Sequence, residues 1–314
     1  MCGEQASYVT LDVFASERFK GNPLAIVKTG DHKLSQQQKQ QIAKEFNFSE
    51  TVFLHPSDHN GSPRVDIFTP VNEMEFAGHP IIGTGHLLFR ELLANDANAS
   101  TNLTITTKAG PVAISYDATS QVVSAGVPHN IHTHQQEVTL SRILQVQATL
   151  AAASDLHGIR DTSPVVSMVK GVTYALVDLS ERTDLFTGLV PGPSPELELD
   201  EGWMPSFTGV MYYQLLDTRP EGDMTVWELR VRMIAINLED PACGSGGCSL
   251  GAYISLTNSQ KGQKHRFYIS QGSEMGRQSH IIVDVALNDK KDAVRRIELA
   301  GPAVFVSEGK IFVN

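Results

Sequence analysis

Cysteine is scarce. Three residues, with no Cys-x-x-Cys spacing, exclude a disulfide framework and point to a reducing compartment. Positive charge is also short: 25 Lys and Arg face 35 Asp and Glu, a net charge of -10. A nucleic-acid or anionic-membrane binder normally carries a basic face, so neither partner is expected. The one dense basic group, Lys290-Lys291 with Arg295-Arg296, reads as a solvated turn and strand edge. No stretch approaches the about 18 apolar residues that span a bilayer. Met1 to Phe14 has neither a basic start nor a long apolar run, so no signal peptide is expected. Several nucleotide and hydrolase signatures are missing too. Neither glycine motif is followed by a Walker lysine, and Ser249 stands where a dinucleotide fingerprint needs its third glycine. There is no nucleophile elbow. Cys243 and Cys248 lack zinc spacing, and His129, His132 and His134 read as a boundary loop, so no metal and no cofactor are expected. The expectation is a soluble, cytoplasmic protein.

What the chain does contain is one design used twice. Phe76-Ala77-Gly78-His79-Pro80 is a glycine turn that presents a histidine and runs into an apolar segment with Ile81, Ile82, Leu87, Leu88, Phe89 and Leu92. Asp240-Pro241-Ala242-Cys243-Gly244-Ser245-Gly246 introduces a second such segment. Shifting the first by 166 residues puts Gly78 on Gly244, His79 on Ser245 and Gly85 on Gly251. A helix that is apolar all round is buried on most sides. The strands flanking each helix therefore predict an α+β fold of two pseudo-symmetric domains, each a curled, mostly antiparallel, barrel-like sheet around a central helix. At 314 residues the chain suits two domains of about 150. The polar, His-rich stretch Pro128 to Gln136 divides it into halves 1–128 and 129–300.

Ser35 and Gln38 form a capping box that opens a helix through Phe46. Asn47-Phe48-Ser49-Glu50-Thr51 leads from it into a strand, so Glu50 sits at a helix-to-strand junction. A polar turn is expected at His59 to Pro63, and Pro80 is read as the first helical residue. Further helices are expected at Ser141 to Ala153 and Gly247 to Asn258.

Helix N-termini carry unpaired N–H groups and a partial positive charge, which suits a carboxylate. Gly78 and Gly244 to Gly246 are thus candidate substrate-binding positions. His79 can give or take a proton near neutral pH, and Asp240 can pair with a histidine or an ammonium group. Cys243 precedes Gly-x-Gly at a helix start, a setting expected to lower its thiol pKa. The matching place in the first half is Ala77, so a two-thiol racemase lacks its first thiol.

Leu11-Asp12-Val13-Phe14, Gly21-Asn22-Pro23-Leu24-Ala25, Asn47 to Phe53, Phe76 to Pro80, Glu239 to Ser245 and Gln271 to Arg277 resemble, in order, the PhzF family of phenazine-biosynthesis-like isomerases. The resemblance implies the diaminopimelate-epimerase-like fold, a substrate cleft between the halves, return of the strand within 301–314 to the first half, and a homodimer. It implies a cofactor-free proton shift on a small anionic, dihydroaromatic or amino-acid-like substrate. Glu50 matches the proton-shuttling acid/base, and His79 and Asp240 match groups that hold and polarise the substrate. Gly78 and Ser245 match binding positions. Ser49 and Asn22, within the matching motifs, join that set. Two residues depart from the pattern: Cys243 stands where threonine is usual, and Ser270 where an arginine often precedes Gln-Gly. A non-catalytic binding protein on the same scaffold and an epimerase using Cys243 are the alternatives.

Overall fold

The computed structural model describes residues 4–30, 32–57 and 62–313, so the turn expected at 59–63 lies mostly outside the described residues. The chain divides into two compact units. The first comprises Met1–Gly126 and Leu299–Asn314, the second Val127–Glu298.

In the first unit, β1 (Gln5–Val13) pairs antiparallel with β2 (Asn22–Lys28). Helix α1 (Gln36–Phe46) then crosses over and sets β3 (Glu50–Leu54) parallel to β2. The capping box forms as expected, with Gln38 N donating to Ser35 Oγ at 3.2 Å and Ser35 N donating to the Gln38 side chain at 2.9 Å. Asn47, left-handed at φ 53°, ends the helix and turns the chain toward β3. Ile42 and Ala43 of α1 pack on Val27, Phe53 and Phe68. Strands β4 (Val65–Phe68) and β5 (Glu73–Met74) return antiparallel. Helix α2 (Gly78–Asn95) follows, then the meander β6 (Asn102–Thr107), β7 (Gly110–Asp117) and β8 (Val122–Gly126). The C-terminal strand Ala303–Phe312 pairs antiparallel with β1 on its free side.

Every residue of α2 from His79 to Leu87 is buried. Burying each large aliphatic side chain there contributes about 1.5–3 kcal/mol. Two of its glycines sit where neighbours press close: a Cβ on Gly83 would lie 2.4 Å from Leu24 Cδ2, and one on Gly85 2.7 Å from Val123 Cγ1.

The second unit opens with β9 (His132–Thr133), β10 (Val138–Thr139), α3 (Leu140–Val146), α4 (Ala148–Ala151) and β11 (Thr162–Ser163). The plan of the first unit then repeats. β12 (Val165–Val169) pairs antiparallel with β13 (Val172–Asp178), and after α5 (Thr183–Gly188) comes β14 (Phe207–Glu221), parallel to β13. β15 (Met224–Ala235) and β16 (Leu238–Asp240) return antiparallel. α6 (Gly244–Thr257), β17 (Lys264–Gln271), β18 (Ser279–Leu287) and the first five residues of β19 (Val294–Gly301) complete it. Even the register is shared. Ile67 faces Met74 and Met233 faces Asp240, each number 166 above its counterpart.

Three expectations need correction. Pro80 is the third residue of α2 rather than the first, which costs no hydrogen bond because N–H groups of the first turn have no partner within the helix. Helix α6 begins at Gly244, not Gly247. The helix expected over 141–153 is two short ones, broken at Gln147. Its backbone is extended, and its fully buried amide caps α4 and holds Val190. Among the described residues, no helix is long and apolar enough to cross a membrane.

Candidate functional site

Five of the expected site residues belong to the first unit. Glu50 is the first residue of β3 and His79 the second of α2. Nδ1 of His79 lies 3.2 Å from Oε2 of Glu50, with 6% and 16% of the two side chains exposed. No hydrogen bond among the described residues satisfies Oε2, so the contact is one of proximity rather than alignment. Burial pushes the Glu50 carboxyl up to about 7, and a hydrogen bond from Ser49 only partly offsets this. The Ser49 hydroxyl also donates to Asn22 Oδ1 at 3.1 Å. Its single hydrogen cannot serve both acceptors at once. Gly78 starts α2, and a Cβ there would collide with Leu299 Cδ2. The residue before it, Ala77, has no side chain able to cap the first turn. A carboxyl poised near neutrality beside an imidazole can take a proton and return it.

The other expected residues belong to the second unit. Asp240 ends β16, and its Oδ1 accepts from Ala242 N at 2.9 Å, fixing the turn into α6. Cys243 is the N-cap of α6, where Sγ accepts from Gly246 N at 3.3 Å. Gln271 buckles this loop from the side. Its Oε1 accepts from Cys243 N at 3.1 Å and its Nε2 donates to the Asp240 carbonyl at 2.7 Å. The Tyr174 hydroxyl, on β13, lies 2.7 Å from Ser245 Oγ and 3.3 Å from Cys243 Sγ. A Cβ on Gly246 would lie 2.4 Å from Met211 Sδ, so a side chain there would have to displace that thioether. Ser245 is half-buried, whereas Gly244 and Gly246 are buried.

The thiol departs from expectation. Burial, reinforced by the negative charge of Asp240, pushes Cys243 up to about 12, despite hydrogen bonds from Tyr174, Gly246 and Ser245 that pull the other way. Desolvation outweighs the helix terminus, and near neutral pH almost no thiolate exists. Tyr174 and the role of Gln271 were not foreseen. Gln271 opens the motif Gln271 to Arg277, but a lone tyrosine in an apolar strand carries no local signal.

Comparison with known proteins bears on this arrangement. A family model described as phenazine biosynthesis-like protein matches residues 11–309. Antisense-enhancing sequence 1 of Schizosaccharomyces pombe is 30% identical over 98% of this chain and 99% of its own. Trans-2,3-dihydro-3-hydroxyanthranilate isomerase of Pseudomonas aeruginosa is 28% identical, again over 98% and 99%. Among solved structures, the PhzF-family phenazine biosynthesis protein of Bacillus anthracis superposes with a TM-score of 0.70 at 19% identity, covering 98% of this chain and 99% of that one. That last likeness is one of fold.

Proposed function

Since the chain belongs to the phenazine biosynthesis-like, or PhzF, family, we propose that it is an isomerase that moves a proton between carbons of a small carboxylate-bearing substrate, dihydroaromatic or amino-acid-like. Glu50 removes the proton from one carbon as the double bond shifts, then delivers it, or one exchanged with solvent, to another. No electrons are gained or lost, and the reaction calls on no metal or organic cofactor. His79 orients the substrate and stabilises charge as the proton leaves. Gly78, Ser49, Asn22, Asp240 and Gly244 to Gly246 are the proposed substrate-binding residues. A cytoplasmic homodimer is part of the same proposal.

One observation carries this reading: a buried carboxyl raised to about 7, with one oxygen that no hydrogen bond among the described residues satisfies and an imidazole beside it. A surface acid would stay near its ordinary value and be ionised throughout the neutral range. The name of the Pseudomonas aeruginosa relative supports the reaction class.

The test is incorporation of deuterium from solvent into a panel of dihydroaromatic amino acids, followed by mass spectrometry. Wild type should label at least one of them, and Glu50→Gln should lower the rate by roughly 100- to 10,000-fold. A non-catalytic binding protein would retain binding without exchange in either form. Undiminished turnover by Glu50→Gln would sink the assignment of the base.

A further inference from the structure

Three side chains outside the proposed reaction converge in the second unit. His132 Nε2 lies 2.7 Å from Asp200 Oδ2, and His134 Nδ1 lies 3.8 Å from the same oxygen. All three donor atoms fall within 4.8 Å of one another. His129, which the sequence groups with them, is elsewhere engaged: its Nδ1 contacts the Val127 carbonyl. We propose that His132, His134 and Asp200 bind one divalent transition-metal ion of the zinc class, which fastens the segment 191–206 to β9.

The donor set is chemically suited to such an ion. Two imidazoles and one carboxylate, with a position left for water, is a common zinc arrangement, at about 2.0–2.2 Å per bond. The three donors differ in freedom. The His134 side chain is fully buried, while His132 and Asp200 keep 33% and 22% of their side-chain surface. The buried ring supplies a fixed ligand and the other two leave an approach for the ion and its water. Asp200 lies in a segment without helix or strand, so its carboxylate can shift the short distance that coordination requires.

The surroundings support the buried ring as a ligand. The Asp200 backbone N–H donates to His134 Nδ1 at 3.1 Å, which identifies Nδ1 as the unprotonated nitrogen. Nε2 therefore carries the hydrogen and donates to Ser167 Oγ at 2.8 Å. Ser167 contacts Thr173 Oγ1 at 2.7 Å, and Thr173 contacts Ser206 Oγ at 2.8 Å. Orientation of a metal-binding histidine through its second nitrogen is the usual supporting arrangement. Trp203 stacks on the His132 ring at 4.5 Å between centroids and meets His134 edge-on, closing one side. On binding, the ion takes the Nδ1 lone pair in place of the Asp200 amide. The hydrogen that His132 shares with Asp200 leaves Nε2, to the other ring nitrogen or to solvent.

The experiment uses the full chain, without an affinity tag and dialysed against chelator. Zn2+ is titrated by calorimetry and Co2+ by visible absorption. One equivalent should bind saturably, without the near-ultraviolet band of a cobalt–thiolate bond, and Zn2+ should raise the melting temperature. Asp200→Asn and His132→Ala should each weaken binding by about 10-fold or more and abolish the thermal shift. Asp200→Asn is nearly isosteric, so it decides the matter if His132→Ala does not fold. Absence of saturable binding, a thiolate band, or unchanged affinity in Asp200→Asn would overturn the proposal.

Discussion

Glu50 opens a strand, His79 enters a helix, and the two meet with Oε2 3.2 Å from Nδ1. The contact places a buried acid against a group able to share its proton, yet one carboxylate oxygen has no hydrogen bond among the described residues. A stable interior rarely tolerates that. The proposed reaction starts from this pair.

The stability of the protein should carry the mark of Glu50. Its folded pKa is about 7, above an unfolded value of 4.5. Between these values the folded state holds the proton and the unfolded state has lost it. The group therefore lowers stability as pH rises through that window, by up to about 3 kcal/mol. Glu50→Gln removes the titration. Denaturant unfolding of both proteins from pH 4.5 to 8 should show the variant gaining on the wild type as pH rises. A constant difference would contradict the raised pKa.

The rate should follow the same group. For a base with pKa about 7, kcat/KM on any substrate found by deuterium exchange should rise with pH and level off above neutrality. Glu50→Asp shortens the side chain by one methylene and should lose most of the rate while keeping a pH-dependent limb. A profile flat from pH 5 to 9 would place the acid/base elsewhere.

Cys243 should be chemically quiet. With its pKa near 12, only about one part in 10,000 is thiolate at pH 8. Iodoacetamide should leave it unmodified in the native protein and label it after unfolding, as read by peptide mass spectrometry. Cys243→Ser keeps an acceptor for Gly246 N and should remain close to wild type in activity. Cys243→Ala loses the cap, at a cost of about 1 kcal/mol. Rapid native labelling with loss of exchange activity would favour the thiol-based alternative.

Tyr174→Phe removes one hydroxyl from contact with both Ser245 and Cys243. The stability cost should be near that of one buried hydrogen bond, about 1 kcal/mol. Since Ser245 is a proposed binding residue, KM should rise more than kcat falls. An unchanged KM would remove Ser245 from the binding set.

Two glycines should respond differently to alanine. Gly272 has φ +76°, and a Cβ would lie 2.5 Å from the Arg277 carbonyl oxygen and 2.7 Å from that of Pro241. Both neighbours are backbone and cannot rotate away, so Gly272→Ala should cost about 1–3 kcal/mol. At Gly78 the obstacle is the end of the Leu299 side chain, which can adopt another rotamer. Thermal denaturation should rank Gly272→Ala as the more destabilised.

Much of the architecture was legible because it rests on local rules. The Ser35–Gln38 capping box and the strand entered at Glu50 appear where sequence pattern puts them. The repeat offset aligning Gly78 with Gly244 proves to align two helix starts and two strand registers. Local reading failed where distant groups intervened. Gln147 breaks a continuous helical pattern because its buried amide serves Val190, and α5 is too short to display a periodicity.

By itself, the order of residues determined the repeated plan and the identity of its chemical groups. Hydrophobic periodicity, caps and glycine turns act over a few neighbouring positions. Tertiary structure decided the state of those groups. Burial held Cys243 protonated against the pull of its helix and raised Glu50 toward neutrality. It also joined Tyr174 to Ser245, and His132 and His134 to Asp200. Desolvation depends on everything packed around a group, and most of that packing comes from residues far away in the chain.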